Sequence, residues 1–66
     1  MAYYDLHRNQ DLKLEIVENM KKYGGGFIQV LAELIIRADG TNLQLIEKTW
    51  PAYIDAYHPA QMKKGK

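Results

Sequence analysis

The chain has 66 residues, no cysteine, and nine Lys/Arg against eight Asp/Glu, a formal net charge of +1. That balance argues against both a strongly basic DNA-binding surface and an acidic DNA mimic, and a chain this short makes one domain that buries only about 60% of its unfolded surface. With disulfides excluded and only His7 and His58 as good nitrogen ligands, self-association is the remaining way for so small a core to gain stability.

The lack of cysteine fits a reducing cytoplasm. Met1-Ala2-Tyr3-Tyr4-Asp5 has no basic region leading into an apolar run, so a signal peptide is not expected. The most apolar segment, 27–38, contains Gln29, Glu33 and Arg37 and is short of the about 20 apolar residues that a membrane span needs.

Residues 1–8 carry Tyr3 and Tyr4 without a clear period, and read as an arm that is ordered only if these tyrosines anchor it. A first helix is predicted over 9–23, where Leu12, Ile16, Val17, Met20 and Tyr23 form one apolar stripe and Leu14 lies off it. Asp11 and Glu15 near its start and Lys21 and Lys22 near its end suit the helix dipole. Gly24 is placed to end the helix in the left-handed conformation.

A second helix is predicted over 26–38. Its polar residues, Gln29, Glu33 and Arg37, form a single ladder, so the apolar arc spans about 240°, where about 100° suffices to face one core. Such a helix must be covered on more than one side. Leu31, Ile35, Phe27 and Leu34 are its expected core residues, with Val30 and Ile36, at the edges of the arc, expected at subunit contacts.

Asp39-Gly40-Thr41-Asn42 then breaks the chain. Thr41 reads as an N-cap, with Gln44 completing a capping box, for a third helix over 42–50 whose buried face is Leu43, Ile46 and Trp50. Pro51 stops that helix and opens a short one over 51–57, with Tyr53, Ile54 and Tyr57 on its buried side. His58-Pro59 ends it, and 60–66 reads as a disordered basic tail. The whole is an all-α fold: a compact three-helix unit plus a short C-terminal helix, expected to self-associate.

Chemistry-bearing residues are sparse. There is neither cysteine nor serine to act as a nucleophile, and His7 and His58 are far apart, so no catalytic residue is assigned and an enzyme is not expected. His7 with Asp11 is the only close ligand pair near a histidine, too few for a metal site; no cofactor is implied. A helix-turn-helix over 27–50 would offer only Lys48, beside Glu47, to phosphate, so DNA is not a preferred partner. Trp50, Tyr53 and Tyr57 either stack on a base or partner or, the plainer reading, close the core. Lys63, Lys64 and Lys66 read as a solubilising end.

The glycine run between the first two helices is the one less ordinary feature. The second helix starts with neither a polar cap nor an acid, and Lys21 and Lys22 lie just upstream. Free N–H groups at a helix start, reached closely past glycine, suit a phosphate. The candidate ligand-binding residues are therefore Lys21, Lys22, Tyr23, Gly24, Gly25, Gly26 and Phe27. The alternative is that Gly24, Gly25 and Gly26 only make a tight turn in which side chains would clash.

Taken together, Tyr23-Gly24-Gly25-Gly26-Phe27, Leu31-Ala32-Glu33, Ala38-Asp39, Asn42 and Trp50-Pro51-Ala52-Tyr53 resemble a pattern of small bacteriophage and prophage proteins of unknown function. Trp50 stands where phenylalanine is more usual, and a third glycine is present. The resemblance covers 23–57 and implies a setting: a viral protein in the host cell cytoplasm that counters bacterial defence. Two mechanisms follow. One is a homo-oligomer that sequesters a cyclic nucleotide or other phosphate-bearing signal at the glycine hinge; the other is a protein–protein inhibitor of a host defence complex, in the manner of anti-CRISPR proteins. A structural or regulatory phage oligomer without a small ligand is the third option.

Overall fold

The computed structural model describes residues 4–64, the last three in backbone only. Among the described residues every regular element is helical: α1 Gln10–Tyr23, α2 Gly26–Arg37, α3 Gly40–Thr49, α4 Pro51–Ala56 and α5 Pro59–Lys64. The fold is all-α, and its Cα radius of gyration of 10.8 Å agrees with the about 11 Å of a compact domain of this length.

Asn9 caps α1, its side chain accepting the Leu12 N–H at 3.3 Å. Ile16, Val17 and Met20 face the core, Leu12 is half-buried against it, and Leu14 is exposed. Tyr23 departs from its expected place on the stripe and is 58% exposed. It is the last residue of α1, where the chain turns away towards α2.

α2 packs along α1, and here the expected core needs correction. Leu31 and Ile35 are buried, but Phe27 is 58% and Leu34 46% exposed, and Ile28 and Ala32 take their places inside. An apolar arc of about 240° leaves the rotation of a helix about its axis undetermined; packing turns the buried face of α2 by roughly 65° from the centre of the expected core set, and by roughly 30° from the centre of the arc.

Two caps also differ from expectation. Gly24 is not left-handed: its φ is −87° and ψ 157°. α3 begins at Gly40 under an Asp39 cap, whose carboxylate accepts the Asn42 N–H at 2.9 Å. An acceptor two residues earlier takes the cap position from Thr41, so the Thr41–Gln44 capping box does not form. The expected break is present but falls at Ala38-Asp39, and Gly40 is already the first residue of α3.

Leu43 and Ile46 are buried on α3, and Trp50 closes it with its N–H on the Ile46 carbonyl at 2.9 Å. Pro51 then opens α4 at its first position, where its missing N–H costs nothing. Ile54 is buried and Trp50 and Tyr57 pack against the core, but Tyr53, expected inside, is 41% exposed. The chain from 60 to 64 is not a disordered tail: it belongs to α5, which packs on α1 and α4. His58 Nδ1 accepts the Ala60 N–H at 3.0 Å near its start. Tyr3 and Lys66, singled out above, lie outside the described residues.

The arm is a docked strap. Leu6 is wholly buried, and the Tyr4 and Leu6 N–H groups donate to the two oxygens of Glu47, at 3.2 and 2.9 Å. The Tyr4 hydroxyl donates to Asp55 Oδ1, and its ring lies 4.8 Å from that of His58. Between these anchors Asp5 adopts φ 51°, a left-handed conformation that aspartate tolerates better than most residues.

Candidate binding surface at the glycine hinge

The link between α1 and α2 is Gly24-Gly25, and its glycines are not equivalent. A Cβ on Gly24 would stand 2.4 Å from Ile28 Cγ2 and 2.6 Å from the Met20 carbonyl oxygen, whereas on Gly25 or Gly26 it would meet nothing within 4 Å. Close packing of α1 on α2 therefore requires only the first glycine. The other two leave the start of α2 open.

That start has no side-chain cap and no acid in its first turn. The first intrahelical bond runs from the Gln29 N–H to the Gly25 carbonyl at 2.9 Å, so the helix offers no partner to the N–H groups of Gly26, Phe27 and Ile28. Gln29 also donates its side-chain amide to the Gly24 carbonyl at 3.2 Å. The backbone could receive an anion here.

The lysines are less free than their sequence position implies. Lys21 Nζ sits 2.6 Å from Glu33 Oε2, and Arg37 Nε lies 3.5 Å from Glu33 Oε1. The hydrogen bond from Lys21, foremost, with the charges of Lys21 and Arg37, holds the Glu33 carboxyl below the ordinary range. Lys22 reaches over its neighbour instead, with Nζ 5.4 Å from the Tyr23 ring centroid. At this geometry the cation–π attraction of an exposed pair is about 0.5–1 kcal/mol.

An open groove of about 540 Å³ runs beside this ion pair, lined by Lys21, Gly26, Gln29, Val30 and Glu33. Of the candidate ligand residues it thus gathers Lys21 and Gly26 only. Phe27 is directed elsewhere, to an aromatic cluster in which its ring centroid lies 5.6 Å from Tyr53 and 6.4 Å from Trp50. Such tilted and edge-on pairs are favoured by the ring quadrupoles.

The two candidate interface residues are both solvent-facing, Val30 at 61% and Ile36 at 41% exposed. They lie about 120° apart around the helix, so they do not share a face. Val30 instead forms a row with Phe27 and Leu34. Among the described residues no group of three His, Cys, Asp or Glu is placed to hold a metal ion, and no helix is long and apolar enough to cross a membrane.

Sequence reasoning missed Glu33 as the partner of Lys21, and missed Glu47 and Asp55 as anchors of the strap. Glu47 carried a readable signal: it is four residues after Leu43 and adjacent to Ile46, an acid on the buried face of α3. The Lys21–Glu33 pair carried none, because it depends on how α1 and α2 pack across the hinge. The chain matches no family model, no curated protein and no solved structure.

Proposed function

We propose that this chain is a non-catalytic binding protein of the phage-encoded type, working in the host cytoplasm as a homo-oligomer that counters bacterial defence by holding a phosphate-bearing nucleotide signal. The observation that carries the oligomeric part is the division of α2: Leu31, Ile35, Ile28 and Ala32 face inward while Phe27, Val30 and Leu34 are exposed. A helix apolar on two sides and covered on one is incomplete as a monomer. The ligand part is supported by the uncapped α2 start, the open space at Gly25 and Gly26, and the exposed ring of Tyr23 at the end of α1.

Light scattering at micromolar concentration, followed by calorimetry against cyclic di- and trinucleotides and against inorganic phosphate, tests both parts. A monodisperse monomer overturns the first. Absence of heat with every nucleotide overturns the second.

One observation favours the protein-inhibitor reading in that event. Glu33 takes up the charge of Lys21, leaving Lys22 as the one cation of the candidate set not ion-paired among the described residues. Apolar surface is then the larger asset. Binding of the purified protein to purified defence complexes, measured by surface plasmon resonance, separates this reading from a structural role.

A further inference from the structure

We propose that a second copy of the chain docks on the exposed row Gly26, Val30 and Leu34 with Phe27 beside it, so that two α2 helices pair antiparallel across a two-fold axis. The inference rests on the homo-oligomeric reading above and gives it a specific surface.

The row is suited to itself. Gly26, Val30 and Leu34 are spaced i, i+4, i+8 and form one ridge along the helix, and Phe27 lies on the adjoining position. An axis beside position 30 sets residue i against residue 60 − i of the other copy. Leu34 then faces Gly26 of the second copy, Gly26 faces its Leu34, and the two Val30 side chains meet at the centre. A large residue opposes a glycine at each end, the self-complementarity that an isologous contact requires. Open space at Gly26 admits the second helix closely.

Charge on the row itself agrees with a second copy: a two-fold axis places like against like, and no charged residue lies there. On its flank Lys21 and Arg37 share one acid, Glu33, which leaves one net positive charge per copy. The other flank is the aromatic cluster with Trp50 and Tyr53.

Area agrees as well. Phe27, Val30, Leu34 and Tyr53 are 58%, 61%, 46% and 41% exposed. With about 200 Å² for a large side chain they present roughly 400 Å² of apolar surface. At the about 57% apolar share of ordinary interfaces, that corresponds to roughly 700 Å² per copy, near the about 800 Å² of a standard interface.

The cysteine-free chain permits a direct test. Val30→Cys, Leu14→Cys and Leu45→Cys variants, each carrying one exposed thiol, are treated with a short bifunctional maleimide at micromolar protein concentration. Cross-linked dimer is expected from Val30→Cys alone, and Val30→Asp, introducing like charges at the axis, should weaken dimerisation by roughly 30-fold or more, the effect of losing an interface anchor. Circular dichroism of Val30→Asp should match the parent, since Val30 is exposed in the single chain. If the parent is a dimer but cross-links through Leu14→Cys or Leu45→Cys instead, the α2 pairing is wrong while the oligomeric reading stands. A parent that is monomeric throughout overturns both.

Discussion

Glu47, 5% exposed, accepts the main-chain N–H of Leu6 at 2.9 Å across 41 residues of sequence. Its other oxygen takes the Tyr4 N–H, so one carboxylate satisfies two amides of the strap and holds Leu6 in the core. Glu47→Leu keeps the volume but orphans both donors, and each buried unsatisfied group costs about 1–3 kcal/mol. The expected loss is roughly 2–5 kcal/mol out of a total that, for a chain of this length, is about 3–10 kcal/mol. Urea denaturation measures it, and hydrogen exchange should show the Leu6 amide losing protection first.

Alkali should act on the same strap through Tyr4. Its hydrogen bond to Asp55, then burial and the Asp55 charge, raise the phenol above its ordinary value of 10.0. A raised folded-state pKa contributes stability that is fully present below the unfolded value and is lost as pH rises through the folded one. Stability should therefore fall above about pH 10 in the parent. Tyr4→Phe should be less stable at neutral pH by about 1 kcal/mol and should lose less on going to alkali. Equal alkaline losses in both proteins would contradict the assignment.

The three hinge glycines should respond differently to alanine. Gly24→Ala forces a contact of 2.4 Å with Ile28 and one of 2.6 Å with the Met20 carbonyl, separating α1 from α2, and should lower stability by about 1–3 kcal/mol. Gly25→Ala and Gly26→Ala meet open space at negative φ and should be neutral or stabilising by about 0.4–1 kcal/mol, through reduced freedom of the unfolded chain. Thermal melts of the three variants decide this. A loss of nucleotide binding in the last two, without a loss of stability, would place their bareness in the service of a ligand.

Truncations along α2 should separate its two apolar sides. Leu31→Ala, at 1% exposure, should cost about 2–5 kcal/mol. Leu34→Ala and Phe27→Ala should cost well under half as much in dilute protein, with the difference shrinking as concentration rises if the outer row is an interface. Denaturation at two protein concentrations reads this directly.

Much of the architecture was legible because local chemistry and tertiary packing agree. The α1 stripe, the break after Tyr23 and the Pro51 restart each follow from a strong local preference. What was not legible depended on relations between distant residues. The apolar excess of α2 concealed which side would face α1, so Phe27 and Leu34 were assigned inward. Leu6 has no periodic neighbours to mark it as core, and its anchor lies on α3. At the candidate site the bare α2 start was readable, while the capture of Lys21 by Glu33 depended on how the helices pack across the hinge.

The strap also sets an order of events during synthesis. Tyr4 is made 51 residues before its hydroxyl acceptor on Asp55. At about 5–20 residues per second of elongation, that interval is roughly 3–10 s. For most of it the strap has neither Glu47 nor Asp55 to dock on, and α1 and α2 can pair without it. The core is closed from both ends of the chain only after most of the polypeptide has left the ribosome, so a nascent chain stalled before Asp55 should present Leu6 to chaperones and proteases that the finished protein escapes.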